Sequence, residues 1–296
     1  MEDSTGGGDV VSRRTVLTAL GGGAFAAVGV TAGLRSDAPF GEALRHARGV
    51  AGPVPAVKRS VVRVERVHSH HRGRDVDLLT MVPPGVPTEG LPMSIMLHGR
   101  HGTARLAFVG GMEEVLAAAV GRGQVPPFGF VAVDGDDHYW HENVPGDDPM
   151  GMLLEEVPRW LAERGHGAPF ACTGVSMGGF GALLYARRRH ERREPTGAVA
   201  AIAPALITDW PEMARRNAFA DREQWVSLDP LKHVAELGAT PIGVWAGDHD
   251  RFITGTRRFI ALARPTVAAI SPGSHDDTFY RRVVPDVIRF LGRRVP

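Results

Sequence analysis

The chain has 296 residues, a formal net charge of +1, 43% hydrophobic and 23% charged residues, a balance ordinary for one large soluble α/β domain. Nearly all its basic residues are Arg and they are spread along the chain, which excludes the basic stripe of a nucleic-acid-binding surface. A single cysteine, Cys172, excludes an intrachain disulfide.

Residues 1–35 have the form of a twin-arginine export signal. Arg13 and Arg14 stand directly before an uncharged, Gly/Ala-rich stretch from Val16 to Leu34. The expectation is an exported protein, secreted or extracytoplasmic, cleaved near Val30 to Ala32. If the segment is kept, it becomes an N-terminal membrane anchor. Residues 36–57 read as a tether, and residues 58–296 as the catalytic domain.

Within that domain, apolar runs from Val61 to Val67 and from Val76 to Pro84 flank the polar "HSHHRGR" (His68 to Arg74), which predicts a hairpin. The pattern then predicts a strand from Met93 to Leu97, a helix around Met112 to Val120 and a strand from Phe128 to Asp134. A helix around Met152 to Glu163 and a buried strand from Ala168 to Cys172 follow, then a helix from Met177 to Arg189 with Phe180, Leu183 and Leu184 on one side. "RRRHERRE" (Arg187 to Glu194) reads as its solvated, dipole-favoured end. Strands are expected from Ala198 to Pro204, Pro241 to Gly247 and Thr266 to Ser271, with a last helix from about Thr278 to Leu291. A hairpin followed by such alternation predicts a mostly parallel, doubly wound sheet. The segment 208–237 interrupts the rhythm; its Trp210, Phe219 and Trp225 suggest a short lid-like insert in which Trp225 helps to form the acyl pocket.

In open α/β sheets, chemistry gathers at the carboxyl ends of the strands. Those ends carry "HGRHG" (His98 to Gly102), "DGDDHYWH" (Asp134 to His141), Ser176, "GDHD" (Gly247 to Asp250) and "GSHDD" (Gly273 to Asp277). The five letters around Ser176, G-V-S-M-G, arise easily by chance in a glycine-rich chain. Their setting, a strand before and a helix after, is what a nucleophile elbow requires. A serine hydroxyl attacks only if a base takes its proton. His275 is placed for that task, with Asp250 or Asp248 as the acid that orients it. Ser, Asp and His then follow one another in the chain order of α/β-hydrolases. Elbow geometry makes the N–H of Met177 one donor to the oxyanion. The His and Asp residues at 134–148 and at His68 to His71 lack calcium-loop or zinc-motif spacing, so neither a metal nor a cofactor is expected.

"GVSMGGFGAL" (Gly174 to Leu183), "MLHG" (Met96 to Gly99), the Gly-x-x-Asp and the Gly-x-His together resemble the esterase D family of α/β-hydrolases over roughly residues 58 to 294. That family includes S-formylglutathione hydrolases, feruloyl and acetyl-xylan esterases, siderophore esterases and mycolyltransferases. The resemblance implies the α/β-hydrolase fold and hydrolysis of a carboxylic ester or thioester. It selects Asp250 through the Gly-x-x-Asp spacing and makes the N–H of Arg100, beside Gly99, the second oxyanion donor. It also implies an aromatic substrate-binding loop at Tyr139 and Trp140. Arg100 and His101 would bring charge near the acyl or leaving group. The substrate is then a small-molecule, carbohydrate or lipid ester. Three readings follow: an exported serine esterase acting through Ser176, an acyltransferase of mycolyltransferase type on the same triad, or a noncatalytic surface-binding protein on a hydrolase scaffold.

Overall fold

Alternation along the strands, with period two, decides how this chain is layered. The computed structural model describes residues 59–296; the expected export signal and tether lie outside the described residues. β1 (Val61–Ser69) and β2 (Arg74–Val82) form the predicted hairpin, with Val61 opposite Val82 and Ser69 opposite Arg74. β2 then pairs antiparallel with β4 (Gly129–Val133). The strands β3 (Met93–Leu97), β5 (Pro169–Val175), β6 (Ala198–Ile202), β7 (Ile242–Gly247) and β8 (Val267–Ser271) complete an eight-stranded sheet in the order β1-β2-β4-β3-β5-β6-β7-β8, parallel from β4 onward. The mostly parallel α/β-hydrolase sheet expected from the sequence is therefore present.

β3, β4, β6 and β7 are buried along their whole length, as parallel strands covered on both faces must be. Successive residues feed different cores. Leu78, Ile95, Val131 and Val199 join one apolar cluster; Leu79, Met96, Ala132 and Ala200 join the other. The second cluster is closed by α1 (Met112–Gly121) and α7 (Asp277–Gly292). The first is closed by a helical stretch over 149–163, here α2, and by α3 (Met177–Glu191). α2 runs through Pro149–Gly151, a π-helical Met152–Glu156 and Val157–Glu163.

Three elements differ from the sequence reading. In α3 every residue from Met177 to Ala186 is buried, not one side only, because the helix is enclosed between the sheet, α2 and the insert. Its basic end is ion-paired: Arg187 meets Glu191 and Glu236, Arg188 meets Glu142, and Arg192 meets Glu155. The insert contains α4 (Trp210–Ala214) and α5 (Arg222–Leu228), each begun by an aspartate side chain, Asp209 and Asp221, that accepts a backbone N–H of the first turn. α6 (Ile253–Ala263) was not predicted at all. It is the crossover that two parallel neighbours, β7 and β8, require.

Candidate active site

Ser176 sits between β5 and α3 with φ 56° and ψ −118°, a backbone conformation that costs energy for any side-chain-bearing residue. Close packing enforces it. A Cβ on Gly178 would stand 2.1 Å from the Leu97 carbonyl oxygen, and one on Gly174 1.9 Å from that of Gly178. Only glycine fits at either position, so the sharp turn lifts the serine out of the sheet.

The neighbouring strand ends bring its partners. His275 Nε2 lies 2.9 Å from Ser176 Oγ, and His275 Nδ1 lies 2.7 Å from Asp250 Oδ2. The carboxylate can only accept, so Nδ1 carries the proton and Nε2 is left to accept from the serine hydroxyl. Asp250 is buried, and its other oxygen accepts the N–H of Phe252 at 2.7 Å. Phe252 and Tyr280 set their rings edge-on to the imidazole, 5.2 and 6.0 Å away. Asp248 is elsewhere: it accepts the N–H of Gly273 at 3.0 Å and pairs with His249. The Gly273 bond holds the Asp248 carboxyl below the usual range. Asp248 thus ties the loop from which His275 projects.

The loop after β3 faces the serine from the other side. A Cβ on Gly99 would be 3.4 Å from Ser176 Cβ. His98 fixes this loop: its Nε2 accepts the Gly135 N–H at 2.9 Å, so its Nδ1 is protonated and donates to the Gly99 carbonyl at 2.8 Å. Burial pushes the His98 pKa down, consistent with a neutral ring. Among the described hydrogen bonds, the N–H groups of Met177 and Arg100 have no protein acceptor.

A cavity of about 450 Å³ opens over Ser176, with Gly99, Arg100, Tyr139 and His275 in its lining. Two expected binding residues are not there. Trp140 is fully buried beneath the site, and its indole N–H donates to the His98 carbonyl at 3.3 Å. It therefore supports the β3 loop and does not meet substrate. Trp225 is buried inside the insert, stacked on Trp210 with ring centroids 6.0 Å apart. The insert reaches the cavity through Arg216 instead. Sequence reasoning also missed Arg251 and Phe252, which line the cavity immediately after Asp250; adjacency to the acid was the available signal.

The acidic loop 134–148 is held by cations and backbone. Arg72, whose side chain is fully buried, pairs with Asp136 and Asp147, and Arg74 reaches both. Asp134 accepts from the N–H groups of Asp77 and Ala104, and Asp137 pairs with His101. His68 at the end of β1 meets Asp75 across the hairpin on β2, and His71 in the turn between them meets Asp148 and Glu155.

The family described as "Putative esterase" matches residues 69–269. No curated protein matches the chain. Among solved structures, a ferulic acid esterase superposes with TM-score 0.66 at 19% identity, covering 80% of this chain and all of its own (100%). An S-formylglutathione hydrolase from Agrobacterium tumefaciens gives 0.63 at 19% identity, over 80% of this chain and 96% of its own. The fluorophosphonate-binding serine hydrolase FphF from Staphylococcus aureus gives 0.63 at 15% identity, over 79% and 99%. At these identities the likeness is one of fold. The family match spans most of the chain and includes the elbow, so the chain belongs to this esterase family, carboxylic ester hydrolases built on the α/β-hydrolase fold.

Proposed function

We propose that the protein hydrolyses carboxylic esters or thioesters through an acyl-enzyme on Ser176. The observation that carries this is the unbroken contact from Ser176 Oγ to His275 Nε2 at 2.9 Å and from His275 Nδ1 to Asp250 at 2.7 Å. Oγ attacks the ester carbonyl while His275 Nε2 takes its proton, and Asp250 stabilises the imidazolium that forms. The oxyanion accepts from the backbone N–H groups of Met177, at the start of α3, and of Arg100, in the loop after β3. Collapse expels the alcohol, which takes the proton from His275. Water, deprotonated by the same histidine, then releases the acid and restores the serine.

Short-chain para-nitrophenyl esters and a fluorophosphonate probe test the reading. FphF, by its description, binds fluorophosphonate, and the same reagent should label this protein at Ser176. Ser176→Ala should lose both labelling and turnover, by roughly 10⁴-fold or more, with the melting temperature retained. Undiminished hydrolysis by pure Ser176→Ala protein would overturn the mechanism. An alcohol that carries off the acyl group in place of water would mark the site as a transferase.

Export through the twin-arginine route is part of the same proposal, on the strength of Arg13 and Arg14 before the Gly/Ala-rich segment.

A further inference from the structure

The cavity over Ser176 has an unbalanced lining. Arg100, Arg216 and Arg251 all face it, and neither Asp nor Glu does. The three guanidinium groups come from separate parts of the chain: the β3 loop, the insert, and the residue after Asp250. Arg216 and Arg251 share one aromatic ring, their guanidinium carbons 5.9 and 4.9 Å from the centroid of Phe252, whose ring in turn touches His275. Like charges that line one cavity repel each other, and an anion bound in it relieves that cost.

Their pairing is incomplete. Of the three, Arg216 alone has a carboxylate partner, Glu212 at 3.0 Å, among the described residues. Arg100 gives one Nη to the Arg216 carbonyl at 3.4 Å, while its Nε is buried without any acceptor. A buried donor left unpaired shows that this guanidinium is incompletely satisfied by the protein itself. The lining also includes the apolar Leu106 and Val109, with Leu106 largely exposed. The cavity thus offers both apolar surface and cationic groups to a single ligand.

We propose that the natural ester carries a negatively charged group, a carboxylate or a phosphate, seated among Arg100, Arg216 and Arg251. This rests on the hydrolase reading given above and narrows it to a substrate class.

Three matched pairs of synthetic esters test it. The para-nitrophenyl monoester of adipic acid against its methyl-capped neutral counterpart places the charge on the acyl side. A para-acetoxybenzoate against its methyl ester, and a para-acetoxyphenyl phosphate against its dimethyl ester, place a carboxylate or a phosphate on the leaving group. In at least one pair the charged member should have a kcat/KM higher by about ten- to a hundredfold, the size of a hydrogen bond to a charged group. The favoured pair identifies the anion and its side. In the Arg216→Gln/Arg251→Gln double variant that ratio should fall by about tenfold or more, whereas Arg257→Gln, an exposed α6 position outside the cavity lining, should leave it as it is. If the double variant does not fold, salt provides the second reading: raising ionic strength should lower kcat/KM for the charged ester and leave the neutral one flat. Parity or a neutral preference in all three pairs overturns the inference. So does a charge preference that survives the double variant and ignores salt. Failure of the hydrolase reading would look different, because neither charged nor neutral esters would turn over and the phosphonate would not label Ser176.

Discussion

Trp140 lies against His98, with ring centroids 4.8 Å apart and its indole N–H donating to the His98 carbonyl at 3.3 Å. Trp140 adopts φ 64° and its neighbour Tyr139 φ 51°, a left-handed conformation that is costly for bulky side chains. The strain buries the indole under the loop that carries Gly99 and Arg100, and turns Tyr139 toward the cavity. Trp140→Ala should therefore lower kcat for every acyl chain length by a similar factor, because the oxyanion donors lose their support. A shift of preference along the series from acetyl to dodecanoyl would show that Trp140 meets the acyl chain after all.

Asp250 and Asp248 stand two residues apart and do unrelated work. Asp250→Asn should cut kcat by roughly 10⁴-fold, as expected when the histidine loses the acceptor that fixes its tautomer. Asp248→Asn keeps an oxygen for the Gly273 N–H and should be mild in activity. Steady-state rates of the two variants decide it; equal losses would mean that the His275 loop depends on Asp248 as much as the imidazole depends on Asp250.

Trp225 is packed with Trp210 in the interior of the insert. Trp225→Ala should cost about 3–5 kcal/mol, typical of a large aromatic removed from a core. Denaturant unfolding together with the acyl-chain profile checks this: lower stability with an unshifted profile is the expected pair of results.

Asp229, buried at the end of α5, has its pKa raised from 3.8 to about 6, chiefly by burial. Its folded form binds its proton more tightly than the unfolded chain does. Stability therefore falls as pH rises from about 4 through about 6, and the loss persists at neutral pH. Asp229→Asn keeps an acceptor for the Leu231 N–H and removes the buried charge. The variant should be more stable than the parent at pH 7.5 by about 2 kcal/mol and no more stable near pH 4. Melting curves at the two pH values test the sign.

Replacing Arg13 and Arg14 with Lys should keep the precursor inside the cell, because the route reads the arginine pair itself. Cell fractionation reads the outcome directly, and unchanged export would point to another pathway.

The elements that sequence determined by itself are those whose cause is local. Short apolar runs bounded by turn residues marked the strands, and Gly174, Ser176 and Gly178 marked the elbow, since only glycine allows the approach of Leu97 and Gly178 backbone that the turn needs. The order of Ser176, Asp250 and His275 along the chain was legible for the same reason: each follows a strand, and strand ends converge at one edge of a parallel sheet. α6 escaped notice because the first turn of "ITGTRRFIALA" carries two threonines and a glycine, which are poor helix formers, and its helical state is imposed by the crossover from β7 to β8. Tertiary structure alone decided the cavity wall. An aromatic side chain buries equally well under a loop, inside an insert or against a ligand, so composition could not tell Tyr139 from Trp140 and Trp225. Nor does anything local mark Arg216: it reaches the cavity because the insert folds back beside Phe252 and the β3 loop, bringing three cations from separate segments to one serine.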